Sequence, residues 1–298
     1  MRYWIGVLAA VAAGIVCVGA IVYHLLVPTP KLPPTIQWGL FSGGPSDVRT
    51  TTEELGKQPN IVVKFVGFFD QFPYNFASTC TKGQTLLVYW ENTGEPYSVD
   101  RINAGRLDAY IHSFAQEAAR DKCSVVLAPF HEMNGDWTPW SGAKNPNSPT
   151  KLITAWRHIH DIFANEAPNV RFAWVMNAGS FPDIPGNQLV DYYPGDAYVD
   201  WVGLDGFNFN RGGVWQTLAE IYDDPVRQIQ IFNKPICICS VGSAPGPKQA
   251  EWVRQGFAHI GTYQHVVAVV YFNAIGDGVN WRIDHDPSTL DAFKSVLP

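Results

Sequence analysis

Short runs of consecutive apolar residues alternate along most of this chain with longer stretches whose apolar residues recur every three or four positions. The short runs fall at 35–40, 61–68, 85–90, 124–129, 170–176, 200–204, 235–240 and 266–272. They are mostly unbroken Val, Ile, Leu and Phe, as expected of parallel strands covered on both faces. The longer stretches carry helical spacing: 103–120 through Leu107, Tyr110, Ile111 and Phe114, and 152–164 through Ile153, Trp156, Ile159, Ile162 and Phe163. Further helices are expected at 215–232, 249–260 and 288–296. Eight strands alternating with helices over residues 35–298 predict one closed (β/α)₈ TIM barrel. A doubly wound open sheet is the competing α/β fold, but no Gly-rich phosphate fingerprint follows the first strand.

The N-terminus breaks this rhythm. Residues 3–27 contain no Asp, Glu, Lys or Arg. The run is long enough to cross a bilayer core as a tilted helix. Tyr3 and Trp4 at one end, and Tyr23 and His24 at the other, suit the two interfaces. A cleaved signal is the rival, with Val18-Gly19-Ala20 as a processing site, but the apolar run continues past it. The expectation is a transmembrane anchor at 3–27 and a stiff Pro-rich spacer at 28–34, with the barrel outside the cytoplasm.

The net charge of -6 excludes the basic field expected of a nucleic-acid binder. Of the five cysteines, Cys237 and Cys239 alternate along one strand and are expected to pack as small apolar side chains. Cys80 and Cys123 each precede a strand-like run, so a disulfide joining adjacent strands is one option for them. The sequence sets no oligomeric state.

A (β/α)₈ barrel places its chemistry where strands end and the following loops begin. Those positions hold Asp70, Trp90-Glu91, His131-Glu132, Asn177, Asp205, Ser240 and the segment Tyr271 to Asn273. Polar and aromatic groups recurring there, with 11 Trp in the chain, suit a hydroxyl-rich ligand stacked on rings. The strongest local signal runs from Ala128 to Trp137: a buried strand enters His131-Glu132, then a Gly turn and an aromatic loop. A carboxyl walled by apolar rings is pushed toward its neutral form, which is what a general acid at a glycosidic oxygen requires. The bland alternative is a structural ion pair with a buried cation. A zinc role for His131 lacks a second His at ligand spacing, so neither metal nor cofactor is expected.

His131-Glu132-Met133-Asn134-Gly135 followed by Trp137 resembles the acid/base signature of glycoside hydrolase family 26, the β-mannanase family. The likeness extends over most of the barrel through the Leu87 to Glu91 run, the Tyr198 to Gly206 run and the Asn280 to Asp284 run. It implies Glu132 as acid/base, His131 and Glu91 beside the sugar, Trp137 and Trp281 as stacking platforms, and Asp205 and Arg282 as sugar contacts. It also puts Ser240 where the family carries its nucleophilic Glu, and Phe207 where a Tyr supports that Glu. A neutral hydroxyl cannot stabilise an oxocarbenium-like centre as a carboxylate does. Three readings stay open. In one, Asp205, Glu91 or Asp70 acts as base for water in an inverting hydrolase of β-linked polysaccharide. In the second, the barrel binds cell-surface polysaccharide without cleaving it. In the third, the substrate supplies its own nucleophile.

Overall fold

The computed structural model describes residues 31–73, 83–91, 98–121, 123–144 and 147–298. The expected anchor at 3–27 lies outside the described residues, as do residues 28–30 of the spacer and Cys80 of the Cys80–Cys123 pairing. Among the described residues no helix is long and apolar enough to cross a membrane.

Eight strands close into one parallel barrel in chain order: β1 Gln37–Phe41, β2 Ile61–Gly67, β3 Thr85–Glu91, β4 Ser124–Pro129, β5 Arg171–Asn177, β6 Trp201–Asn208, β7 Ile236–Ser243 and β8 Val266–Phe272. Closure is made by the pairing of β1 with β8, from Gln37↔Ala268 to Phe41↔Phe272. The outer helices are α1 Pro45–Leu55, α2 Val99–Asn103, α3 Asp108–Ala119, α4 Pro149–Glu166, α5 Leu218–Ile229, α6 Gln249–Ile260 and α7 Pro287–Val296. Between β5 and β6 the described chain makes only short 3₁₀ turns. Local sequence fixes several helix starts. Ser148 accepts from the Lys151 N–H ahead of Pro149, Thr217 and Glu220 form a reciprocal cap, and Asp286 accepts from the Thr289 N–H.

Alternation along the strands explains the unbroken apolar runs. Val62, Leu86, Val88 and Leu127 point outward and pack under the helices. Val63, Leu87, Val126, Val175 and Val270 point inward and fill the barrel. Glycine appears where the interior has no room: a Cβ at Gly39 would stand 2.8 Å from Ile61 Cβ, and one at Gly203 would stand 2.8 Å from Cys239 Sγ.

Cys237 and Cys239 do share the interior face, but their sulfurs are joined as a disulfide instead of packing as two separate apolar side chains. The cause is local. Between β6 and β7 the register runs Leu204↔Ile238 and then Asp205↔Ser240, so Cys239 is skipped as a bulge. That shortening leaves the two Cα atoms 5.0 Å apart.

At the strand-N-terminal end, the Leu32 N–H donates to the Val296 carbonyl at 2.7 Å, and Leu32 is buried. The described end of the Pro-rich stretch is therefore packed against the last helix.

Candidate active site

At the opposite end, where the strands terminate, a cavity of about 420 Å³ opens. Its acids are Glu91 at the end of β3, Glu132 after β4, Asp205 in β6 and Asp277 after β8. His131, Ser240 and the rings of Phe41, Phe65, Phe207 and Phe272 complete most of the wall. A larger groove of about 540 Å³, lined by none of these residues, lies on the outer wall between α5 and α6.

The loop after β4 is held by its polar residues. Asn134 is fully buried; its side chain donates to the Asn177 carbonyl at 2.9 Å and accepts from the Asn177 N–H at 3.0 Å. The Glu132 N–H donates to the Val175 carbonyl at 3.0 Å, and the Trp140 indole donates to the His131 carbonyl at 2.7 Å. These bonds hold Phe130 at φ 51° and Glu132 at φ 55°. Such left-handed backbone costs a non-glycine residue of order 1 kcal/mol and persists only where surroundings dictate it.

The Glu132 carboxyl accepts from the Trp137 indole N–H at 2.6 Å and from Asn177 Nδ2 at 3.0 Å. Burial pushes its pKa up; the two hydrogen bonds oppose that shift and the charge of Asp277 adds to it. No described cation pairs with it, so the structural ion-pair alternative has no support among the described residues.

Asp205 is only 2 % exposed and accepts from the Tyr89 hydroxyl at 2.8 Å. Burial first, and the nearby Glu132 charge second, push it well above the usual carboxylate range. Burial also raises Glu91. His131 is 9 % exposed, and neither ring nitrogen has a hydrogen-bond partner. Its Nε2 stands 3.4 Å from Glu91 and its Nδ1 3.9 Å from Asp205, close in space but without hydrogen-bond geometry. Burial pushes the ring down to about 3, so it is neutral at neutral pH.

Ser240 lies in β7 opposite Asp205, lines the cavity, and accepts at its carbonyl from the Tyr222 hydroxyl at 3.0 Å. Phe207 packs against Trp281 with ring centres 4.8 Å apart.

Two of the expected sugar contacts are placed differently. Trp281 reaches the cavity wall but is only 1 % exposed, enclosed by Phe207 and Phe209 with its N–H on the Gly276 carbonyl. It has no open face for a sugar and supports the loop instead. Arg282 is absent from the cavity wall; its guanidinium forks onto Asp284 through Nε at 2.7 Å and through Nη2. Asp70 turns back to accept from the Gly67 N–H at 3.0 Å and stays outside the cavity. Trp137, in contrast, is 46 % exposed.

The residue missing from the sequence-based site is Asp277. It sits at the tip of a hairpin formed by β9 Ile275–Gly276 and β10 Val279–Asn280. The signal was present: Asp-Gly is the dipeptide favoured where two successive hairpin residues need positive φ, and Asp277 and Gly278 have φ 53° and 73°.

A closed parallel barrel with paired acids in its mouth is the architecture of many glycoside hydrolases, and comparison with known proteins agrees. Glycosyl hydrolase family 26 matches residues 70–255, and the chain belongs to that family. It is 33 % identical over 265 residues to Endoglucanase H of Acetivibrio thermocellus, covering 85 % of this chain and 29 % of that protein. It is 34 % identical over 131 residues to Mannan endo-1,4-beta-mannosidase A and B of Caldalkalibacillus mannanilyticus, covering 42 % of this chain and 23 % of that protein. The chain thus spans roughly a quarter of the length of these two relatives. The β-mannanase structure from Bacteroides ovatus superposes with a TM-score of 0.65 at 17 % identity, covering 88 % of each chain, a likeness of fold.

Proposed function

We propose that this chain is a glycoside hydrolase that cleaves β-linked polysaccharide, with Glu132 as the proton donor. The observation carrying this reading is the state of that carboxyl. Burial drives it toward the protonated form at the edge of a ring-lined cavity, and no described cation neutralises it. A carboxyl whose burial favours its protonated form, facing the cavity, can hand its proton to a departing glycosidic oxygen. His131 lines the cavity beside Glu91, and the exposed ring of Trp137 offers a stacking face. Mannan is the first candidate backbone by family resemblance; the names of relatives extend the range to β-glucan and β-1,3-xylan.

Ser240 and Phe207, in the places where the resemblance puts a nucleophile and its supporting Tyr, favour one second reading: a barrel that holds polysaccharide without cutting it. Release of reducing ends from β-mannan, β-glucan and β-1,3-xylan separates the two. Hydrolysis is expected in the wild type and a loss of about 10²–10⁴-fold in Glu132→Gln. Binding in polysaccharide gels without any release of reducing ends would establish the second reading. The uncharged run at 3–27 supports a barrel held at a membrane on the extracytoplasmic side.

A further inference from the structure

The cavity holds four carboxyl groups, and hydrolysis by Glu132 requires a partner for water or for the sugar. Ser240 does not supply one, since its hydroxyl would need a base of its own. Asp205 is only 2 % exposed and already accepts the Tyr89 hydroxyl at 2.8 Å, so it has little surface to offer a water. Glu91 is on β3, beside the strand that carries Glu132, and faces His131. The remaining acid is Asp277.

We infer that Asp277, on the β9–β10 hairpin, is the general base that activates water for inverting hydrolysis across the cavity from Glu132. The inference rests on the hydrolase reading and specifies the second half of that site. Its first support is position. Glu132 follows β4 and Asp277 follows β8, which stand four strands apart either way around the closed eight-stranded sheet. The two acids therefore enter the mouth from opposite walls, as a single displacement demands, with acid on one side of the sugar ring and water on the other. The second is freedom. Asp277 is exposed and no described hydrogen bond or ion pair occupies its carboxylate, while both residues line the same cavity. The third is support. The hairpin is pinned by Trp281, whose N–H donates to Ala274 and whose indole donates to Gly276 at 3.1 Å. The enclosure of Trp281 then has a purpose: it fixes the arm that carries the base. The charge of Asp277 is also felt at Glu132, raising the pKa of the acid.

In the step that follows, a water oxygen attacks the anomeric carbon from the Asp277 side and gives its proton to that carboxylate. The bond to the leaving oxygen breaks on the Glu132 side, and that oxygen takes the Glu132 proton. A β-linkage yields an α-hemiacetal; both acids return to their starting states by exchange with solvent, and no oxidant or co-reactant is needed.

The test is proton NMR of the first-formed anomer from the full chain acting on soluble β-mannan, β-glucan or β-1,3-xylan oligosaccharides, with kcat measured for variants. The α-anomer is expected first, with kcat in Asp277→Asn lower by about 10²–10⁴-fold. With an activated aryl β-glycoside of the cleaved sugar, azide is expected to restore turnover in Asp277→Ala and to give the α-glycosyl azide. A β-anomer from active wild type, or an Asp277→Asn protein at wild-type rate while Glu132→Gln is inactive, overturns the base alone. Wild type silent on all three substrates overturns the hydrolase reading and the base with it.

Discussion

Replacing Trp137 by Phe isolates one bond to the proposed acid. The substitution keeps an aromatic ring and removes the N–H that donates to Glu132 at 2.6 Å. A hydrogen bond to a charged group contributes about 1.5–3 kcal/mol. Trp137 is 46 % exposed, so water competes for the bond and the lower limit, about 1.5 kcal/mol, is the working figure. That corresponds to about 1 pKa unit. The sign follows from which form the bond favours: the indole stabilises the carboxylate and opposes the upward push of burial. Its loss raises the Glu132 pKa further, since the Asn177 bond alone remains. Carboxyl-¹³C NMR of selectively labelled protein should show the Glu132 titration displaced upward by about one unit. The alkaline limb of kcat/KM should move with it, because a general acid is active while protonated. A titration that stays in place, or moves down, would refute the claim that this bond tunes the acid.

Other outcomes test the fold around the site. Gly203→Ala puts a Cβ 2.8 Å from Cys239 Sγ and 2.9 Å from Val175 Cγ2 inside the barrel. Overpacking there should cost about 1–3 kcal/mol, read as a lower denaturation midpoint at unchanged m-value. His131 has a folded pKa of about 3 against an ordinary 6.5, so the unfolded chain takes up a proton that the folded ring refuses. Its contribution to stability is complete above 6.5 and is lost as pH falls toward 3. Glu132 and Asp205, raised in the folded state, act in the opposite sense and lose stability as pH rises. The measurement is therefore wild type against His131→Gln, with the variant expected to lose less stability on acidification; identical pH profiles would count against the buried neutral ring.

Sequence patterning located β4 and β8 to the residue because both are apolar to their ends. It stopped β6 at 204 and β7 at 240, whereas the strands run to Asn208 and Ser243. The extensions carry Asp205, Gly206, Asn208, Gly242 and Ser243, polar or small residues near the mouth that a hydrophobic pattern does not register. Helix α1 was missed because PSDVRTTTEEL buries so few apolar residues. The helix expected at 103–120 is interrupted at Gly105, φ 70°, and resumes as α3 at Asp108. In the site, Glu91, His131, Glu132, Asp205, Phe207 and Ser240 converge, since barrel geometry brings strand ends together whatever their distance in sequence. Arg282 pairs with Asp284, an acid two residues away that satisfies the guanidinium locally. Asp277 was missed because it belongs to a hairpin of two-residue strands, too short for any periodicity to appear.

The hydrogen bond between Leu32 and Val296 also determines how the molecule can be handled. It gathers the chain entering the barrel and the last helix at the pole farthest from Glu132. A tag, bead or fused module attached ahead of Lys31, or after Pro298, therefore meets the underside and leaves the cleft rim unobstructed. A polymer lying across that rim would meet no steric interference from such a tether, so attachment to a support through either terminus should preserve access for long chains as well as short oligosaccharides.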